Sequence, residues 1–177
     1  MKEGSTIPLE KVAFGGGCHW CTEAVFQQLR GVHRVEQGFV RSDPPNDSWS
    51  EAVVVSFDPE AITLAKLIAV HVSTHASTSN HSMRGKYRSA VYSLDEQQHQ
   101  SARLILGELQ HGYDNALVTQ VLPYRDFKFS DTRFHNYYAS DDMRPFCKRY
   151  IAPKMDKLNR SFHELLRGDS PARTRKH

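Results

Sequence analysis

The chain has 177 residues, a length that suits one compact domain, and with 39% hydrophobic and 24% charged residues it can bury a real core. The net charge of +3 is concentrated in Arg167, Arg173, Arg175 and Lys176 at the C-terminal end, a frayed tail and not the aromatic-studded basic face that a nucleic-acid binder needs. No apolar run reaches the length of a membrane span, and Met1 to Glu10 carry no apolar core of a secretory signal, so a cytoplasmic protein is expected.

Lys11 to Gly16 form a short apolar run that ends in Gly15, Gly16 and Gly17, as a buried strand that stops at a glycine turn would. From Cys18 to Arg30, residues Trp20, Ala24, Val25 and Leu29 recur at helical spacing, and Gly31 stops the helix. Val32 to Val40 read as a strand. Arg41 to Ser50 read as a loop rich in Asp, Asn and Pro, and Ala52 to Phe57 are the clearest strand of all, closed by Asp58-Pro59. Thr63 can cap a helix that runs to about His75. Ala76 to Gly85 are polar and loop-like, and Tyr87 to Tyr92 read as another strand. Ser93 and Glu96 have capping-box spacing ahead of a helix through Leu104, Ile105 and Leu109. Val118 to Leu122 suit an edge strand, Asp131 to Tyr138 a short helix, and Lys154 to Leu166 a last helix packed on the outside.

Up to Tyr92 the order is strand, helix, strand, strand, helix, strand. This predicts an α+β fold with a two-layer ferredoxin-like (split β-α-β) core and additional C-terminal helices. Residues 1–167 would form a single catalytic domain and 168–177 a basic disordered tail. In that topology the first strand lies antiparallel between the third and the fourth. The end of the first strand then meets the starts of the other two, and Cys18, Glu51 and Tyr87 come together at one edge of the sheet.

Three cysteines, Cys18, Cys21 and Cys147, are too few for a disulfide scaffold in a chain of this length and point instead to catalysis, metal or simple burial. Cys18 opens a helix, where unpaired N–H groups and the positive end of the dipole favour a thiolate, the nucleophilic form. Cys21 completes a C-x-x-C pair that could close a disulfide, hold half of a zinc site or simply pack in the core. No second C-x-x-C exists beside the scattered His71, His75, His81 and His135, so no metal and no cofactor are expected. Glu51 heads the strongest strand and is the candidate proton donor, with Glu23 as a competing carboxyl group that could merely support its helical turn. Trp20 and Trp49 could wall a small apolar group, and Tyr87 could donate a hydrogen bond to a polarised oxygen.

Four segments carry a resemblance. F-G-G-G-C-H-W-C-T-E-A-V-F, from Phe14, resembles the G-C-F-W-G-x-E signature of the A-type peptide methionine sulfoxide reductases. S-E-A-V-V-V-S-F-D-P from Ser50, K-Y-R-S-A-V-Y from Lys86 and P-F-C-K-R-Y-I-A-P-K from Pro145 resemble that family's H-x-E-V-V-x-V-x-Y-D-P, Q-Y-R-S-A-I-Y and P-Y-C-R-F-V-I-A-P-K segments, in the same order. The resemblance implies that Cys18 attacks the sulfur of methionine-S-sulfoxide, free or in a peptide. Glu51 protonates the sulfoxide oxygen, Tyr87 hydrogen-bonds it, and Trp20 receives the methyl group. Cys18 becomes a sulfenic acid, a second cysteine condenses with it, and thioredoxin reduces the disulfide.

The departures fall in the pocket. His19 replaces the signature's phenylalanine, and Cys21 its glycine. No tyrosine matches the one in the loop before the acid, where Trp49 could fill space, and the aspartate ahead of Q-Y-R-S has no counterpart between Asn80 and Lys86. The resemblance places the resolving cysteine at Cys147, with Cys21 as the alternative. A monomer is the default. The competing readings are a general thiol–disulfide oxidoreductase working through Cys18 and Cys21, and a non-enzymatic thiol- or zinc-binding relic of the same scaffold.

Overall fold

The architecture comes from a computed structural model that describes residues 8–16, 19–75, 88–130, 149 and 151–167. Among these the elements run β1 (Glu10–Gly15), α1 (His19–Gln27), β2 (Val32–Arg41), β3 (Ser50–Phe57), α2 (Leu64–Ser73), β4 (Ala90–Ser93), α3 (Glu96–Leu109), β5 (Gln120–Pro123), β6 (Asp126–Phe129) and α4 (Ala152–Ser161). The fold is α+β. Six strands form one sheet in the order β5-β4-β1-β3-β2-β6. β1 is antiparallel to both β3 and β4, the neighbours anticipated for it, with Phe14 opposite Val53 and Val91. The short helix expected over Asp131 to Tyr138 lies outside the described residues, as do 168–177.

β3 occupies the middle of the sheet, and its near-continuous apolar run suits a strand covered on both faces. Val53, Val55 and Phe57 point into the main core with Phe14, Phe26, Leu67 and Ile68, beneath the helices. Ala52 and Val54 point the other way, into a smaller cluster with Ala13, Val40 and Tyr92, flanked by Tyr124 and Phe127. Phe14 stacks on Phe26 with ring centroids 4.7 Å apart, which fastens α1 to the strand that precedes it.

The cap of α3 and the bounds of the last helix differ from the sequence reading. The cap of α3 is Asp95, not Ser93: the Asp95 carboxylate accepts from the Gln98 N–H at 2.8 Å, and the Gln98 side chain accepts from the Leu94 N–H. Ser93, still in strand β4, bonds the ring of His99 instead. The last helix starts at Ala152 and gives way to a 3-10 turn at His163–Leu165. It packs on the outside as expected, with Met155 and Leu158 buried in the main core and most of its other residues exposed, and Leu166 beyond it pairs with Leu29. Pro153 sits in its first turn, where no N–H is needed.

Candidate active site

Glu51 stands where the sequence placed it, at the start of β3 beside the end of β1, and it is buried. The approach is tight. A Cβ built on Gly15 would lie 3.0 Å from the Glu51 carbonyl oxygen and 2.8 Å from that of Arg88. Glycine is therefore required at the end of β1, and the backbone of 15, 51 and 88 converges at one edge of the sheet. Cys18, Tyr87 and Cys147 lie outside the described residues, as does the side chain of His19, the first residue of α1. The chain leaves β1 for Cys18 immediately past this point of convergence.

Arg88 fixes the loop that leads into Glu51. Its backbone N–H donates to the Ser50 hydroxyl at 2.8 Å. Its buried guanidinium donates to the Ser48 carbonyl at 2.9 Å, the Ser48 hydroxyl at 2.8 Å and the Tyr92 phenol at 3.0 Å. A planar fork with several donors is the group that can hold a loop and a ring at once. Burial is the dominant influence on Tyr92 and pushes its phenol above the ordinary value, against the smaller opposing pull of the Arg88 charge.

A histidine pair lies on the other side of the glycine turn. The His71 Nε2–H donates to the Gly15 carbonyl at 2.7 Å, and the ring packs on Phe14 at 4.8 Å between centroids. His75 donates through Nδ1 to the His71 carbonyl, so its Nε2 faces the Ser89 hydroxyl at 2.8 Å; Ser89 in turn meets Thr119 at 2.8 Å. A Cβ on Gly16 would fall within 3.0 Å of three atoms of the His75 ring. Sequence reasoning weighs these histidines only as metal ligands. Their spacing of four, with His71 in the last turn of α2 and His75 just past its end, is the available signal for this packing.

Cys21 is buried and lines a cavity of about 50 Å³ with Gly16, Thr22, Val25, His71, Thr74, His75 and Lys154. That is room for a water molecule or two. Lys154 of α4 donates to the Thr74 carbonyl beside it. Glu23 is buried deeper still and accepts from the Gln37 amide at 2.9 Å, and Gln37 accepts from the Ser130 hydroxyl at 2.9 Å. This chain ties α1 to β2, a supporting part and not an exposed acid. Trp20 is half-buried against the main core. Trp49 is half-buried too, with the Arg41 guanidinium 4.9 Å and the Lys128 ammonium 4.8 Å from its ring centroid. Among the described residues, no group of three or more His, Cys, Asp or Glu side chains is placed to hold a metal ion.

Residues 10–166 match the family described as peptide methionine sulfoxide reductase. The chain is 36% identical to peptide methionine sulfoxide reductase MsrA of Chromobacterium violaceum, over 89% of this chain and 99% of that one. It is 34% identical to the MsrA of Deinococcus radiodurans, over 89% and 84% respectively. The fold is similar to that of Mxr1 from Saccharomyces cerevisiae. In the reduced form of Mxr1 the TM-score is 0.67 at 19% identity, covering 81% of this chain and 94% of that one. In its complex with Trx2 the TM-score is 0.57 at 18% identity, covering 72% and 84%. The chain belongs to the peptide methionine sulfoxide reductase family. Among the described residues, no helix is long and apolar enough to cross a membrane.

Proposed function

We propose that this protein reduces methionine-S-sulfoxide, free or in a peptide, to methionine. The observation that carries the reading is the buried Glu51 at the edge of the sheet where β1 hands the chain to Cys18. The Cys18 thiolate attacks the sulfoxide sulfur while the Glu51 carboxyl group delivers a proton to the oxygen. The protonated oxygen then moves to the Cys18 sulfur: the bond between the two sulfurs and the substrate S–O bond break as the cysteine S–O bond forms, methionine leaves, Cys18 is a sulfenic acid, and two electrons have passed from the cysteine sulfur to the substrate. A second cysteine condenses with the sulfenic acid, releasing water and leaving a disulfide. Cys147 is the assigned partner on its place in the C-terminal segment, and Cys21, three residues from Cys18, is the alternative. Tyr87 holds the oxygen, Trp20 and His19 flank the methyl group, and Trp49 borders the entrance.

Thioredoxin is the proposed reductant, in line with the complex of Mxr1 with Trx2. The cytoplasm, where such dithiols stay reduced, is the proposed compartment. We read β1 to β4 with α1 and α2 as a ferredoxin-like unit, residues 1–167 as one catalytic domain with 168–177 as its tail, and the protein as a monomer. The test is steady-state turnover of a peptide methionine-S-sulfoxide with thioredoxin. Cys18→Ser abolishes it, and Glu51→Gln slows it by about 100-fold or more while the far-ultraviolet spectrum is unchanged. Full activity in either variant contradicts the assignment.

A further inference from the structure

Glu51 pairs with Phe39 across β3 and β2, and Phe39 pairs with Lys128 across β2 and β6. Directly opposed residues of antiparallel strands share a face, so these three side chains form one row on the helix side of the sheet. With neighbouring strands about 4.8 Å apart, Lys128 stands about 10 Å from Glu51. The Lys128 ammonium lies 5.5 Å from the Phe39 ring centroid and 4.8 Å from that of Trp49. Arg41 covers Trp49 as well, but its charge is met by Asp126 at 3.3 Å. Asp43 is held by Arg125 at 2.8 Å. Lys128 is exposed and makes no ion pair among the described residues.

We propose that Lys128, over the Phe39–Trp49 shelf, is a specificity-determining residue that selects peptides with an acidic side chain next to the methionine sulfoxide. The inference rests on the reaction proposed above and adds where the rest of the substrate lies. With the sulfoxide at Glu51, an extended peptide advances about 3.3 Å per residue. A Glu side chain one or two residues away spans the remaining distance and puts its carboxylate at the ammonium. The aromatic rings hold the ammonium and limit its wandering, which lowers the entropy that an exposed ion pair loses. The cation is single, so the ligand is one carboxylate and not a phosphate, which would call for a fork of donors.

The test compares kcat/KM for three blocked pentapeptides, Gly-X-Met(O)-X-Gly as the S epimer, with X as Glu, Gln or Lys. In the unmodified protein the Glu peptide is favoured over the Gln peptide by about two- to fivefold, the range an exposed ion pair supplies, and the Lys peptide is the poorest. Lys128→Gln brings the Glu-to-Gln ratio to about one, and Lys128→Glu inverts the order, which a merely structural lysine would not do. Raising the salt concentration flattens the preference in the unmodified protein. Equal use of the Glu and Gln peptides, or a preference that survives Lys128→Gln, overturns the proposal. Failure to turn over any of the three overturns the reaction itself and is thereby distinguished from a failure of the shelf.

Discussion

The His71 Nε2–H donates to the carbonyl of Gly15 across 2.7 Å and so ties helix α2 to the last residue of β1. Both groups are buried, and a buried carbonyl left without its donor costs about 1–3 kcal/mol. His71→Phe keeps a ring against Phe14 but removes the donor. It is expected to lower stability by about that amount in urea unfolding and to reduce kcat, because the glycine turn ahead of Cys18 loses its anchor. An unchanged urea midpoint would show that the bond contributes nothing.

Two glycines predict opposite signs. A Cβ at Gly38 would lie 2.2 Å from the Lys128 carbonyl oxygen and 2.8 Å from the Phe127 ring, so Gly38→Ala pushes β6 away and costs about 1–3 kcal/mol. A Cβ at Gly107, inside α3, meets nothing within 4 Å, so Gly107→Ala raises stability by about 0.5–1 kcal/mol through backbone entropy alone. Thermal unfolding of the two variants side by side checks both directions.

Arg88 is the buried cation of the site region, and the single ammonium of a lysine could not reproduce its fork. Arg88→Lys is expected to lose at least two of the bonds to Ser48 and Tyr92, costing about 2–3 kcal/mol, and to loosen the loop that sets Glu51. Turnover then falls more than KM rises, since the proton donor moves while the peptide shelf stays. A rise in KM with kcat intact would assign Arg88 to binding instead.

Much of this arrangement is legible in the sequence because it follows from periodicity and order. The β3 run and the Thr63 cap, whose hydroxyl accepts from Lys66 N–H, follow from local residue chemistry, and the antiparallel place of β1 follows from the order of the elements. Glu51 can be located because topology alone brings a strand start beside a strand end. What cannot be read depends on contacts between distant segments. Strand β6 is four residues, Asp-Phe-Lys-Phe, with only one that packs inward, so it has no apolar run to announce it, and it exists by pairing with β2. The Glu23–Gln37–Ser130 chain and the bonds from Arg88 to Ser48 span 14 to 93 positions, beyond any local pattern. The cap of α3 falls two residues later than the sequence suggests because Ser93 and Asp95 offer the same chemistry, and pairing with Pro123 of β5 keeps Ser93 in the strand.

Tyr92 predicts an alkaline limit. Its phenol is held above the ordinary value of 10.0 chiefly by burial, so the folded state keeps a proton that the unfolded chain gives up. That contribution is fully present below about pH 10 and is lost as the pH climbs through the raised folded value. Urea unfolding between about pH 8 and 11 should show stability falling above about pH 10, and Tyr92→Phe should make that fall shallower. An identical slope in the variant would place the alkaline sensitivity elsewhere.

In the proposed reaction the oxygen of a methionine-S-sulfoxide passes to Cys18 with Glu51 supplying the proton. A single turnover without any reductant measures this directly: reduced protein is mixed with excess substrate, and free methionine, remaining thiols and the modified cysteine are determined by mass. The expected result is about one methionine per protein molecule, a disulfide that includes Cys18, and no product from the R epimer or from Cys18→Ser. Methionine formed by Cys18→Ser, or a Cys18 thiol left unmodified after methionine has been released, would contradict it.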